Sequence, residues 1–164
     1  MVEILTTGGT IDKIYFDAKS SFQVGESPIA DLLREANLTI EIKVTEVMRK
    51  DSLEMTDNDR KLIRQAAEAS SSQQLVITHG TDTIVQTGRA LQGIMGKTIV
   101  LTGAMQPARF RATDALFNVA AALTAAQTLP QGVYIAMNGQ IFDPQTTYKN
   151  VKENRFEATV TGNG

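Results

Sequence analysis

Short β-branched runs alternate with segments of helical spacing along most of the chain, and this order constrains the fold more than any other feature. VEILT opens the series. Behind Ser27-Pro28, which predicts a serine N-cap and a proline at the first helical position, Ile29, Leu32, Leu33 and Ala36 have helical spacing. Thr39 to Val47, TIEIKVTEV, alternates apolar with polar residues and reads as a second strand. From Thr56, TDNDRKLIRQAAEA has a capping threonine, early acids and a helical apolar pattern. QLVITHG, a helix from Asp82 to Ile94, KTIVLTG, a helix from Thr113 to Ala126 and GVYIAMNG continue the alternation. Strands joined by helices must cross over, so the expected fold is a three-layer α/β domain: a doubly wound, mainly parallel sheet with helices on both faces. The segment QIFDPQTTYKNVK breaks the pattern and predicts a C-terminal β-hairpin turning at Asp143-Pro144. Gly162-Asn163-Gly164 is expected to fray.

Size and charge narrow the function. At 164 residues, 42% of them hydrophobic, the chain suits one core and one domain. Sixteen basic residues against eighteen acidic ones leave a net charge of -2, which argues against nucleic acid or an anionic membrane and for a small-molecule partner. The absence of cysteine removes disulfides, thiolate catalysis and cysteine metal sites. No basic region followed by a long apolar stretch opens the chain, so a soluble, cytoplasmic protein is expected.

Ligands of such sheets collect where the strands end at their carboxyl side. The residues placed there are Thr7-Gly8-Gly9-Thr10, Asp51-Ser52, Thr78-His79-Gly80-Thr81-Asp82 and Thr102-Gly103-Ala104-Met105. The turn at Gly8 lacks G-x-G-x-x-G spacing, and Gly96-Lys97-Thr98 lacks the upstream glycine of a phosphate loop and precedes a strand, so nucleotide binding fits poorly. Hydrolysis fits better. A threonine hydroxyl attacks only with help in losing its proton and with N–H groups to hold the oxyanion, and Thr10 and Thr81 both adjoin glycine backbone. Lys149 is a candidate base and Asp82 its orienting partner or a site for a cationic group. Plainer roles compete: a strand-to-helix turn for Thr10, helix capping for Thr81-Asp82, a turn for Ser52, a surface position for Lys149 and a packed, hydrogen-bonded role for His79. Leu116, Val119, Ala120 and Leu123 are read as core.

Three motifs sharpen this. TGGTI (Thr7 to Ile11), ITHGTDT (Ile77 to Thr83) and TGAMQP (Thr102 to Pro107), in this order and at successive strand ends, resemble the N-terminal domain of bacterial-type L-asparaginases, the asparaginase/glutaminase family. The likeness extends through Ser52 in DSLEM, Asp114 and Asn118 in TDALFNVAAAL, and Lys149 in TTYKN. It implies a single domain over residues 1–164, with Thr10, Thr81, Asp82 and Lys149 catalytic and Gly9, Ser52, Thr81, Asp82 and Ala104 against the substrate. The implied reaction is attack of a threonine oxygen on a side-chain amide, release of ammonia, and hydrolysis of the ester, without metal or organic cofactor. A homodimer or homotetramer is implied as well. Three departures stand out. Where the family has a tyrosine in the loop after TGGT, this chain has Phe22; after the substrate-binding serine it has Leu53 in place of a frequent glutamine; and the family's C-terminal domain does not follow. These leave a second expectation open, a catalytically weak domain that binds or senses a small amino acid through Ser52 and Asp82.

Overall fold

The structure is a computed structural model and describes residues 1–16 and 21–159; the glycine-rich tail expected to fray lies outside them. Its centre is a six-stranded sheet. Strands β1 (Val2–Thr6), β4 (Ile42–Glu46), β5 (Gln74–Thr78), β6 (Thr98–Thr102) and β7 (Gly132–Met137) run parallel, and β8 (Gln140–Phe142) returns antiparallel along β7, in the order β4-β1-β5-β6-β7-β8. Two short antiparallel pairs stand apart from it: β2 (Lys13–Phe16) with β3 (Ser21–Val24), and β9 (Thr147–Asn150) with β10 (Arg155–Ala158). The helices are α1 (Ile29–Glu35), α2 (Asp57–Ala69), α3 (Ile84–Ala90) and α4 (Ala115–Thr128).

Each central strand is apolar on both sides because each side meets helices. Leu75, Ile77, Ile99, Leu101 and Ile135 pack with Ile63 of α2 and Ile84 of α3. On the opposite face Ile4, Val76, Val100 and Ala136 pack with Ile29 of α1 and Val119 of α4. Glu3 is the exception in β1: its buried carboxylate is met by Lys43 at 2.8 Å, by Thr45 at 2.7 Å and by the Ser70 hydroxyl.

The expected doubly wound sheet is present, with local differences. Thr56 caps α2 as expected, its Oγ1 accepting from the Asp59 N–H while Asp59 accepts from the Thr56 N–H, which satisfies two end donors at once. Ser27 does not cap α1; its hydroxyl donates to Asp12 Oδ1 at 2.6 Å, and the helix starts behind Pro28. The segment expected to be helical from Asp82 to Ile94 is helical only from Ile84 to Ala90, since Thr83 Oγ1 donates to the Ser52 carbonyl at 2.8 Å. The C-terminal hairpin exists but turns at Val151–Asn154, between β9 and β10. Asp143 accepts from the Gln145 N–H and starts a 3-10 turn (Pro144–Thr146), so QIF is free to pair with β7 across Asn138-Gly139, both at positive φ. In α4, Val119 and Leu123 are core, but Leu116 and Ala120 face outward, Leu116 at 49% exposure.

Candidate active site

Parallel strands deliver their carboxyl ends to one side, and hydrogen bonds between neighbouring ends stitch the loops there into one surface. The Thr7 N–H and hydroxyl both donate to the Thr78 carbonyl, at 3.1 and 2.8 Å, and the Lys50 N–H donates to the Thr7 carbonyl. The His79 N–H donates to the Thr102 carbonyl at 2.8 Å. β1, β5, β6 and the segment after β4 are thereby tied edge to edge.

Glycine lets these loops approach further than side chains would. Gly9 lies at φ 92°, and a Cβ on it would overlap the backbone of Gly80. A Cβ on Gly80 would in turn overlap the side chain of Ser52, which is 1% exposed at the start of a 3-10 turn (Ser52–Glu54) whose Leu53 N–H donates to the Asp51 side chain. The Thr10 turn, the Thr81 loop and the Ser52 turn are thus in direct contact.

Beyond the sheet, β9 brings Lys149 to the end of β5. Lys149 Nζ donates to Thr81 Oγ1 at 2.8 Å and to Asp82 Oδ1 at 2.7 Å. The lysine side chain is 14% exposed and Thr81 is 4% exposed, so this is not the solvated surface lysine that its local sequence allows. One amine held against a hydroxyl by a carboxylate is a nucleophile-activating arrangement. Among the described residues, Thr10 has no charged side chain in hydrogen-bond contact; it begins a 3-10 turn (Thr10–Asp12) that leads into β2.

Around this pair the supporting residues are buried. His79 is wholly inaccessible, its Nδ1–H donating to the Gly80 carbonyl at 2.8 Å and its Nε2 accepting from the Thr87 hydroxyl at 2.7 Å. Burial pulls its pKa down to about 4, so the ring is a neutral strut. Asp12 is also buried; burial pushes its carboxyl up to about 6, against the lowering effect of the Ser27 hydroxyl, with Glu46 adding to the rise. Asp51 pairs with Lys13 at 3.1 Å; burial acts to raise its pKa, but the Leu53 N–H and Lys13 outweigh it and hold the group below its usual value. Ala104 is fully buried in the loop after β6, and α4 fixes that loop: Asp114 accepts from the Met105 and Gln106 N–H groups at 3.0 to 3.1 Å, while Asn118 Nδ2 donates to the Gly103 carbonyl and to Asp114, both at 2.9 Å. Sequence spacing marked Asp114 and Asn118 only as part of a motif; their brace on the loop needs the helix and strand end in place.

Phe22 and Tyr15 face each other across the β2–β3 pair, ring centroids 5.4 Å apart, and Phe110 lies 5.7 Å from Phe22. Leu53 is 74% exposed and reaches away from the buried Ser52. Among the described residues, no three histidine or acidic side chains are grouped to hold a metal ion, and no helix is long and apolar enough to cross a membrane.

Residues 1–162 match the family described as "Asparaginase, N-terminal". The chain belongs to that asparaginase family. It is 30% identical over 159 residues both to a probable periplasmic L-asparaginase of Haemophilus influenzae and to L-asparaginase 2 of Escherichia coli, an overlap of 90% of this chain and 46% of each relative. The thermostable L-asparaginase from Thermococcus kodakarensis superposes with a TM-score of 0.79 at 28% identity, and L-asparaginase I from Vibrio cholerae with 0.80 at 27%. Both superpositions cover 96% of this chain and 50% of the other, so this asparaginase-family chain spans about half the length of its relatives.

Proposed function

We propose that the chain hydrolyses the side-chain amide of L-asparagine, or of a closely related small amide, by threonine acyl transfer. The observation that carries this reading is the contact of Lys149 Nζ with both Thr81 Oγ1 and Asp82 Oδ1. In the proposed reaction a threonine oxygen forms an ester bond to the amide carbon and the C–N bond breaks. The nitrogen leaves as ammonia with the proton taken from the hydroxyl, and water then cleaves the ester to give the acid and restore the threonine. Lys149 is the group placed to take and return the Thr81 proton, with Asp82 holding its amine in line. Backbone N–H groups of the glycine-rich loops are the donors available to a developing oxyanion. Ser52, Gly9 and Ala104 form the substrate walls in this reading, Asp82 meets the substrate's ammonium group, and a homodimer or homotetramer is the working assembly.

A second reading is favoured by one residue. Phe22 has no hydroxyl to relay a proton to Thr10, which suits a domain that binds a small amino acid and turns it over weakly or not at all. Ammonia release across asparagine, glutamine and small D-amino amides, with calorimetry on the same ligands, separates the two. Turnover abolished by Thr81→Val supports the enzyme. Asparagine binding without ammonia from the unsubstituted chain replaces it with the binder.

A further inference from the structure

The β2–β3 pair is gathered at its base by one residue. Asp12 ends the 3-10 turn that Thr10 opens, its N–H donating to the Gly9 carbonyl at 3.1 Å, and β2 starts at the next position. The Asp12 carbonyl accepts from the Gly25 N–H at 2.9 Å, directly behind the end of β3, and its Oδ1 accepts from the Ser27 hydroxyl at 2.6 Å, just ahead of α1. Main chain and side chain of Asp12 thus hold together the Thr10 turn, both strands of the pair and the approach to α1.

Two short strands do not hold together in water by themselves, so the pair depends on how it is fastened. The bond from the Ala108 N–H to the Ile11 carbonyl, at 3.0 Å, and the ring contact of Phe22 with Phe110 contain no titrating group, and Asp51, the acid of the Lys13 ion pair, titrates below its usual value. Asp12 differs. It is 2% exposed, and among the described residues it has no cationic side chain within ion-pair distance. Arg49, behind β4, acts on it only through its field and is itself held by Glu46 at 2.6 Å, with Glu26, next to Ser27, acting on Arg49 as well. Asp31 and Glu35 of α1 line a hollow of their own with Arg109 of the loop after β6. Burial, joined by Glu46, pushes the Asp12 carboxyl up to about 6 against the opposing effects of Ser27, the Gly8 N–H and Arg49.

We propose that Asp12 is a positioning residue for Thr10, its carboxyl acting as a pin that holds the base of the β2–β3 pair closed when neutral and loosens it when ionised. A buried carboxylate with a hydroxyl contact and no counter-ion needs water, and local opening of a small pair outside the main sheet admits it at less cost than unfolding. The neutral acid has no such need. Thr10 shares one turn with Asp12, so loosening the pair also frees the Thr10 hydroxyl, while Thr81 remains tied to Lys149. The effect on turnover rests on the threonine amide-hydrolysis reading above; the movement of the pair does not.

The chain has no tryptophan, so Phe22→Trp, at a half-exposed position between Tyr15 and Phe110, gives an emission signal from the pair alone. That emission is expected to change with a midpoint at about pH 6 while the far-ultraviolet circular dichroism stays constant. Adding Asp12→Asn should abolish the transition and leave the low-pH signal throughout. Adding Ser27→Ala, which removes a donor that favours the carboxylate, should move the midpoint upward by about half a pH unit. In ammonia release, the ratio of Asp12→Asn to the unsubstituted chain should rise about tenfold from the acid to the alkaline side of the same midpoint. No transition in Phe22→Trp, or one that survives Asp12→Asn or is unmoved by Ser27→Ala, overturns the proposal. A transition with a flat turnover ratio overturns the positioning of Thr10. The expected transition in a chain that releases no ammonia supports the pin and removes only the hydrolysis reading.

Discussion

Thr81 and Thr10 follow β5 and β1, adjacent strands of one sheet, and the fold equips them differently. Thr81 is buried and already in contact with an amine that is itself held by a carboxylate. Thr10 starts a turn behind two glycines at positive φ, and what stands near it is the β2–β3 pair with its exposed aromatic rings. The difference lies in where the helping groups come from. β5 ends in the middle of the sheet, where β9 can be docked from the far side of the chain; the Thr10 turn touches the Thr81 loop through glycine backbone and leads into the β2–β3 hairpin, and among the described residues no charged side chain is in hydrogen-bond contact with Thr10. Under the proposed chemistry, activation is built in at one threonine and depends on a separate small element at the other.

The largest expected effect tests the equipped side. Lys149→Met and Thr81→Val should each cut ammonia release by about 10³-fold or more, the range of lost acid–base or nucleophilic assistance, with the melting temperature nearly unchanged. Wild-type turnover in Lys149→Met would mean that the lysine–threonine contact is only structural. Thr10→Val then breaks or sharpens the contrast. An equal loss means the two hydroxyls act in one sequence of steps, and a silent substitution leaves Thr81 as the sole nucleophile.

A smaller effect is expected on the less equipped side. Phe22→Tyr restores a phenol within the aromatic pair and should raise single-turnover ammonia release by about 10²-fold at unchanged substrate affinity. Tyr15→Phe, which removes the hydroxyl across the pair, should lower it. No change in either variant would show that proton transfer at Thr10 does not pass through this hairpin. The loop after β6 serves both threonines, so Asn118→Ala, which frees the Gly103 carbonyl, should reduce kcat/KM by about tenfold through loss of positioning.

The two sides also oppose each other in their response to pH. Asp12, beside the Thr10 turn, has its pKa raised from 3.8 to about 6 by burial. It contributes stability that is full below 3.8 and is lost as pH rises through 6, about 3 kcal/mol in all. His79, before Thr81, has its pKa lowered from 6.5 to about 4, again by burial. It contributes stability that is full above 6.5 and is lost as pH falls through 4, also about 3 kcal/mol. The slopes are opposite over pH 4 to 6, so these two groups nearly cancel in the unsubstituted chain. Urea midpoints should expose each in turn: Asp12→Asn should become less stable as pH falls through that window, and His79→Gln more stable. Parallel curves for all three proteins would contradict the burial of both groups.

Much of this contrast can be read along the chain and part of it cannot. The strand runs and their glycine-threonine ends are local, because a parallel strand buried on both faces must be apolar and a ligand loop behind it must not be. The five parallel strands of the sheet and the Thr10, Ser52 and Thr81 positions follow from that. Lys149 does not, since nothing in TTYKN records that Asp143 would start a 3-10 turn and send β9 toward β5. The same competition misplaced the hairpin: Asp143-Pro144 has turn chemistry, but Asn138-Gly139 and the 151–154 turn closed the strand pairs. Ser27 had the sequence of a helix cap and was claimed by a buried carboxyl fifteen residues earlier. For α4, an apolar stripe at helical spacing reads as core, yet a helix that is apolar almost all round has an outside, and Leu116 and Phe117 are on it.

The contact of Gly9 with Gly80, which is backed by the Ser52 side chain, sets the spacing of two loops of the site by main-chain atoms alone. No rotamer can widen or narrow that gap, so it behaves as a fixed gauge while the surrounding side chains remain adjustable. A library randomised at positions 9, 53 and 80 should return glycine at 9 and 80 whatever amide is used for selection, and free choice at the exposed position 53. Any change of substrate size in this scaffold therefore has to be written in the neighbouring side chains, with the spacing of the loops left as it is.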